Sequence, residues 1–570
     1  MLLSLGHGQK IVKLTPTPPA ALAPPAALSP DSVPSNKVTG HAAPPTLGAG
    51  QGRFGYLFGS AVGPSHAIDA EVLDRLADAM IDQGARPDIR AIAPIFTYFG
   101  QFIDHDITAN TDGDLQGVAG MLKIDQPVLR PVDRSLVVSA VTNLRNATLQ
   151  LDSLYGDGPV PTGLEAALRD GAKMRLGGLT PVPPPEQHQK PPNDGLADLP
   201  RVGTLVTAGV INAADVPAEL LSGGPAKDSR KALIGDNRND ENLIVAQLHV
   251  AFLRFHNAVL AAQGGGTTEA AFKKAQALVR HTYQWLVINA YLPAVADQAV
   301  INDVIAGKAP LYAEFYEARK AQIAAGELPM PLEFSVAAFR YGHSLIRARY
   351  DYNVNFTGPR AATFEQLFAF TGNAATAPIG GFNLPTLPNN WPIDWSRFLG
   401  RATDPDFRFA RAIDTALAPP LSQMVNQGAG VFQHLARRNL RRGWILNLPT
   451  AQTVGASMTA KGHPPARMLS EAEIVDGPIT ASTLPADLKV EFGKATPLWF
   501  YVLREAEVIN GGARLGPIGS RIVAETLVGL VINDPKSYWH EGAGDGVWKP
   551  SVGGTSVESM EAFLQVAGVL

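Results

Sequence analysis

Apolar residues recur at helical spacing along most of the chain beyond residue 50. In IDAEVLDRLADAMID that spacing predicts a helix from Ile68 to Ile81. ENLIVAQLHVAFLRFHNAVLAAQ, residues 241–263, is largely apolar and free of glycine and proline, which predicts a long buried helix. FKKAQALVRHTYQWLVINAYL, SVAAFRYGHSLIRARY, GVFQHLARRNLRRGWILN and SRIVAETLVGLVIN carry the same signature. Strand-like runs are few and short. The pattern therefore predicts a mainly α fold with little β-structure and long irregular connections.

Punctuation divides the chain unevenly. Residues 1–50 are rich in Pro, Ala and Ser (TPTPPAALAPPAALSPDSVPS) and read as a disordered N-terminal arm, leaving 51–570 as the globular part. PVPPPEQHQKPPND, residues 181–194, reads as a loop. GQGRFG at Gly50–Gly55 matches a dinucleotide fingerprint, but no clear strand precedes it and no helix follows, so it reads as a flexible entry to the globular part.

Composition changes the picture mainly by exclusion. The 48 Lys and Arg nearly balance the 52 Asp and Glu, with no single-sign block, so neither a nucleic-acid footprint nor an anionic-membrane surface is indicated. There is no cysteine, which excludes disulfides, thiolate zinc sites, cysteine-held iron–sulfur clusters, c-type haem attachment and thiolate-ligated haem. A redox metal would have to sit on histidine, carboxylate, methionine or tyrosine. No apolar run is long and clean enough to read as a membrane span. The start, MLLSLGHGQKIVKLTPTPP, has no conventional signal-peptide layout, so the expected location is cytoplasmic, or outside by a leaderless route.

Three segments carry candidate chemistry. In FTYFGQFIDHDIT, residues 96–108, Gln101 and His105 share a helix face, with Asp104 and Asp106 flanking the histidine. In IGDNRNDEN, residues 234–242, Gly235 and Asp236 suit a turn or cap, and Arg238 and Glu241 lie three apart near a helix start. In AAFRYGHSLI, residues 337–346, His343 sits in an apolar helix behind Gly342, which lets a flat ligand or another backbone approach closely. Asn439, in ARRNLRRGWILNLP, is an amide able to orient an imidazole. Taken singly, these segments also fit a core histidine, a solvated cap with an Arg–Glu pair, and a second core histidine. His249 and His256 read as core hydrogen-bonders.

Taken in order, GQFIDHD, GDNRNDEN, FRYGHSLI and RNLRRGWILNLP resemble the animal-type haem peroxidases of the peroxidase–cyclooxygenase superfamily, the family of myeloperoxidase. GRFGYLF and LDSLYGDGP resemble its bacterial branch. The resemblance implies the helical fold of the myeloperoxidase type, with haem b between a distal and a proximal helix and residues 51–570 as the catalytic domain. His105 resembles the distal histidine, Gln101 its neighbouring glutamine and Arg238 the distal arginine. His343 resembles the axial iron ligand, Asn439 its hydrogen-bonding asparagine, and Arg442 an arginine facing the haem. Asp104 and Glu241 match carboxylates that form ester links to haem in mammalian members, whereas Asn242 stands where myeloperoxidase has its sulfonium-forming methionine. For calcium the resemblance implies Asp106 with the loop residues Asn146, Thr148, Gln150 and Asp152. Gln150 and Asp152 depart from the family's usual aspartate and serine, and calcium prefers several charged oxygens.

The activity implied is reduction of hydrogen peroxide through a ferryl haem, with small organic donors or halides as reductants and a role in the oxidative-stress response. Two other readings compete. Fatty-acid dioxygenases of the superfamily use a tyrosine three residues before the proximal histidine, and here that position is Arg340, with Tyr341 next to it. A haem-free structural or adhesive protein on the same scaffold is the other. The set His105, Arg238, His343 and Asn439 argues against it.

Overall fold

The computed structural model describes residues 54–570 except 83, 85–87, 110–122, 142, 144, 157–167, 183–193, 217–228, 373–383, 425, 426, 428 and 476–485, together with residues 2–4 and 11–13. Of the expected arm it describes two short strands, Leu2–Ser4 and Ile11–Lys13, paired antiparallel. The rest of the arm and most of the 181–194 loop lie outside the described residues.

Helices dominate, close to where the apolar spacing puts them. Helix α1 spans Ala70–Ala79 and α2 spans Pro94–Ile107. Proline at the first position of α2 lacks only an N–H that the helix start would leave unbonded anyway. Helix α3, Leu243–Ala262, is capped by the Asn242 side chain, which accepts from the backbone N–H groups of Ile244 and Val245. Helix α4, Glu269–Leu286, runs on through a π turn, Val287–Tyr291, into Leu292–Val295. Helices α5, α6 and α7 span Leu435–Ile445, Leu498–Asn510 and Pro517–Asn533. Gly511 ends α6 with φ +59°, a conformation that costs glycine least.

Helix α3 is long and apolar enough, by length and composition, to cross a membrane, but 83% of the relevant window is buried inside the protein. It is the central core helix, packed between α2 and α4. Phe102 of α2 stacks on Phe252 of α3 at 4.7 Å, and Tyr283 of α4 meets both rings edge-on at 6.2 and 5.8 Å. This aromatic seam holds the 94–107 helix against α3 and α4. Described strands are only two or three residues long; one pair, Phe54–Gly55 with Met330–Pro331, runs parallel.

One expected helix takes a different form. Residues 333–337 form a π turn and 338–345 a 3-10 helix, followed by a short strand, Arg349–Tyr350. Glu333, fully buried at the head of this segment, accepts the N–H groups of Leu57 at 2.9 Å and Phe58 at 3.1 Å. Local apolar spacing does not distinguish the three helical pitches, and tertiary anchoring of this kind can select a non-α pitch.

Phe252→Ala is expected to cost about 3–5 kcal/mol of stability, because it opens a void between three helices. Urea unfolding followed by tryptophan fluorescence measures it; a loss under 1 kcal/mol would show that the seam carries little.

Candidate functional site

A cavity of about 230 Å³ gathers residues from α2, the turn before α3, the 333–346 segment and α5. Gln101, Asp104 and Thr108 reach it from α2 and its C-cap, Arg238, Glu241 and Asn242 from the turn. Arg340, Gly342 and His343 reach it from the 3-10 segment, Arg438 and Arg442 from α5. The rest is largely apolar, including Phe96, Phe339, Phe364 and Phe368. An added Cβ on Gly342 would meet no atom within 4 Å, so this glycine borders open space.

The turn presenting Arg238 is a 3-10 helix, Asn237–Asp240, capped by Asp236. Asp236 is fully buried. It accepts from the Arg238 backbone N–H at 2.9 Å, from Arg238 Nη2 at 2.7 Å and from Arg145 Nη2 at 2.5 Å. Burial alone would raise its carboxyl pKa, but the two guanidinium groups outweigh it and hold the group well below the usual carboxylate range. Arg238 Nη2 also donates to the carbonyls of His105 and Thr108, both at 2.8 Å, which locks the guanidinium onto the C-terminal end of α2. The sequence suggested an Arg238–Glu241 pair. Instead Arg238 pairs with Asp236, and Glu241 accepts from Gln101 Nε2. Burial pushes Glu241 up to about 7 against the pull of Arg238 and Gln101, and it raises Asp104 as well.

At the other end of the site, His343 Nδ1 lies 3.0 Å from Asn439 Nδ2, while Arg340 Nη1 donates to Asn439 Oδ1 at 2.5 Å. With the amide oxygen held by Arg340, its NH₂ faces the imidazole, an orientation that suits the ring tautomer with its proton on Nε2. Binding a metal through Nε2 requires the opposite tautomer, with Asn439 Oδ1 turned onto Nδ1–H. Burial and then Arg340 and Arg438 lower the His343 pKa to about 3, so the ring is neutral, as a metal ligand must be.

His105 lies elsewhere than the other candidates. It is fully buried and does not line the cavity, although Gln101 and Asp104 on the same helix do. Its Nδ1 is 2.8 Å from Asn239 Oδ1. Burial and then Arg238 lower its pKa to about 3, leaving it neutral. Arg145 and Asn239 are participants that sequence reading passed over, and Asp236 was read there only as a turn or cap residue. Asp236 could have been singled out as the carboxylate two residues before an arginine at a helix entrance.

The expected calcium loop is tied up differently. Asp106 accepts the N–H groups of Leu151 at 3.0 Å and Ser153 at 3.1 Å. Gln150 donates its amide to Asp534, its carbonyl takes Arg280 Nε at 2.6 Å, and the Arg280 guanidinium lies 4.0 Å from Asp152. Asn146 Oδ1 and Thr148 Oγ1 are buried without a hydrogen-bond partner. Among the described residues no group of three or more His, Asp or Glu could hold a metal ion.

Residues 211–371 match the family model described as Animal haem peroxidase. That stretch is similar to animal haem peroxidase sequence. It contains Arg238, Glu241, Arg340 and His343; the 96–108 motif and α5 lie outside it. The chain is also 24% identical over 297 residues to a peroxidase-like protein of Margaritifera margaritifera, a match covering 49% of this chain and 34% of that protein. The chain thus spans about a third of the length of that curated relative. Among solved structures, it is similar to peroxidase A from Dictyostelium discoideum, with TM-score 0.47, 15% identity, and coverage of 86% of this chain and 88% of that one. It is similar as well to fatty acid alpha-dioxygenases of Arabidopsis thaliana and Oryza sativa. The first has TM-score 0.48 and 10% identity over 87% of this chain and 72% of that one. The second has TM-score 0.49 and 13% identity over 91% and 80%.

The cavity suits the haem that the peroxidase family name implies: apolar walls for a macrocycle, arginines 340, 438 and 442 for its carboxylates, and a neutral imidazole beside a glycine that borders open space. Two outcomes are expected of the scaffold itself. Asp236→Ala should destabilise the protein by about 3–5 kcal/mol, since it strands two buried guanidinium groups. Thermal melts would show it. Dialysis against EDTA should leave the melting temperature unchanged; a fall restored by added calcium would reinstate the cation.

Proposed function

We propose that this chain is a haem peroxidase that reduces hydrogen peroxide at the expense of small organic donors or halides. One observation carries the reading: within the stretch that matches the peroxidase family, Arg238 and Glu241 border the same cavity as His343, which has Asn439 at its back. Bound haem would supply the two-electron redox chemistry. His343 would hold the iron through Nε2, and Asn439 would orient that ring. Arg340, Arg438 and Arg442 would take the haem carboxylates, and Asp104 and Glu241 are the groups available for ester links.

The chain's own part in peroxide cleavage is acid–base and electrostatic. A neutral His105 accepts a proton from one peroxide oxygen at Nε2 and returns it to the other. Arg238, held by Asp236, keeps a permanent positive charge beside the charge that develops as the O–O bond breaks. In this reading His105 keeps its role although its ring is not among the residues that line the cavity.

A second reading has one structural feature in its favour. Tyr341, beside the position where dioxygenases carry their tyrosine, bonds through its hydroxyl to that of Tyr291 at 2.6 Å, and Tyr291 lines the cavity. A phenol thus borders the site even though Arg340 occupies the tyrosine position.

Haem-reconstituted protein should show a Soret band, and His343→Ala should lose it. His105→Ala should keep haem but slow the peroxide-driven spectral change by about 10²–10⁴-fold. An unchanged rate would remove His105 from the chemistry. Oxygen uptake with linoleate in the absence of peroxide would replace the peroxidase reading with the dioxygenase one.

A further inference from the structure

Asn239 is fully buried between two imidazoles that are also fully buried. Its Oδ1 lies 2.8 Å from His105 Nδ1, and its Nδ2 lies 3.1 Å from His249 Nδ1. His249 comes from α3 and rests edge-to-face against Phe102 of α2 at 6.0 Å, so the row spans α2, the turn and α3. An amide offers an acceptor on one side and donors on the other. Both neighbours present the same atom, Nδ1. A neutral imidazole carries its proton on one nitrogen only. Whichever way the amide is turned, one ring must therefore hold its proton on Nδ1 and the other on Nε2.

We propose that Asn239, braced by His249, is the positioning residue that sets the tautomer of His105, holding the proton on Nδ1 and the lone pair on Nε2. The placed amide, with its oxygen toward His105, makes the shorter of the two contacts to that ring. It gives His105 a donor bond at Nδ1 and leaves Nε2 as the basic nitrogen. The backbone backs this up: the N–H of Asn239 donates to the Asp236 carbonyl at 3.0 Å, so the amide is carried by the same turn that carries Arg238. The base and the guanidinium would thus be positioned by one four-residue turn. The row also accounts for His249, which the peroxide chemistry does not otherwise use. The catalytic consequence rests on the peroxidase reading; the tautomer assignment does not.

The test uses the full chain labelled with ¹⁵N-histidine and long-range ¹H–¹⁵N spectra. His105→Gln and His249→Gln variants serve to assign the two rings. Opposite tautomers are expected, with His105 protonated at Nδ1. The same tautomer in both rings, or His105 protonated at Nε2, overturns the proposal. Asn239→Leu should convert His105 to a mixture of tautomers, whereas Asn239→Asp, which keeps an acceptor, should restore the Nδ1–H form; an unchanged His105 ring in Asn239→Leu refutes the lock. In haem-loaded protein, Asn239→Leu should slow the peroxide step by about 10–100-fold with an unaltered Soret band, and Asn239→Asp should recover most of the rate. A tautomer change in Asn239→Leu, together with a peroxide rate that His105→Ala leaves untouched, supports the lock and overturns the catalytic role instead.

Discussion

One buried carboxylate organises this site. Asp236 takes a guanidinium from the 145–156 loop and another from its own turn, and it caps that turn at the backbone. Through Arg238 the same charge reaches the carbonyls at the end of α2. Three stretches far apart in sequence are therefore joined at a single group with no exposed surface. Such a cluster is not a cheap source of stability, because each ion loses its hydration on burial. What it provides is definition, since removing any member leaves an unpaired charge in the interior.

The far end of the turn is clamped by a second buried cluster. Arg201 donates to Asp198 and to Asp240, both at 2.6 Å, and Asp240 accepts the Gly372 N–H at 2.8 Å. Burial and the neighbouring Asp198 push Asp240 up to about 6 although Arg201 opposes them. Held at both ends, the short turn has little freedom to shift Arg238, which lies between the clamps, or Glu241, which follows the second; both line the cavity. This is the logic of preorganisation: polar groups are fixed before any ligand arrives.

Much of the helical framework was legible. Apolar patterning placed α1, α3, α4, α5 and α7 to within a few residues, because the burial of one helix face, or of nearly the whole helix in α3 and α7, is written locally. The 333–345 segment was legible as helical but not as π followed by 3-10, since the pitch answers to contacts such as Glu333 with Leu57 and Phe58. The candidate residues were found by type, spacing and resemblance, and Asn439 was found with its partner His343, but the partner of Arg238 was not. Arg238 has Glu241 three positions away and bonds Asp236 instead, because carboxylate direction is set by the fold around the turn.

The sequence by itself determined that the chain is mainly helical, that a redox metal has no cysteine to hold it, and that two histidine motifs and an arginine motif follow in one order. Only the tertiary structure decided which side chains share a space. It brought Gln101, Asp104, Arg238, Glu241 and His343 to one cavity, and it set the buried His105 ring against Asn239. It also set the calcium-type loop against peptide N–H groups and Arg280. The physical reason is the same in each case. Helix formation follows from local periodicity, whereas the partner of a buried polar group depends on whichever distant segment can reach it.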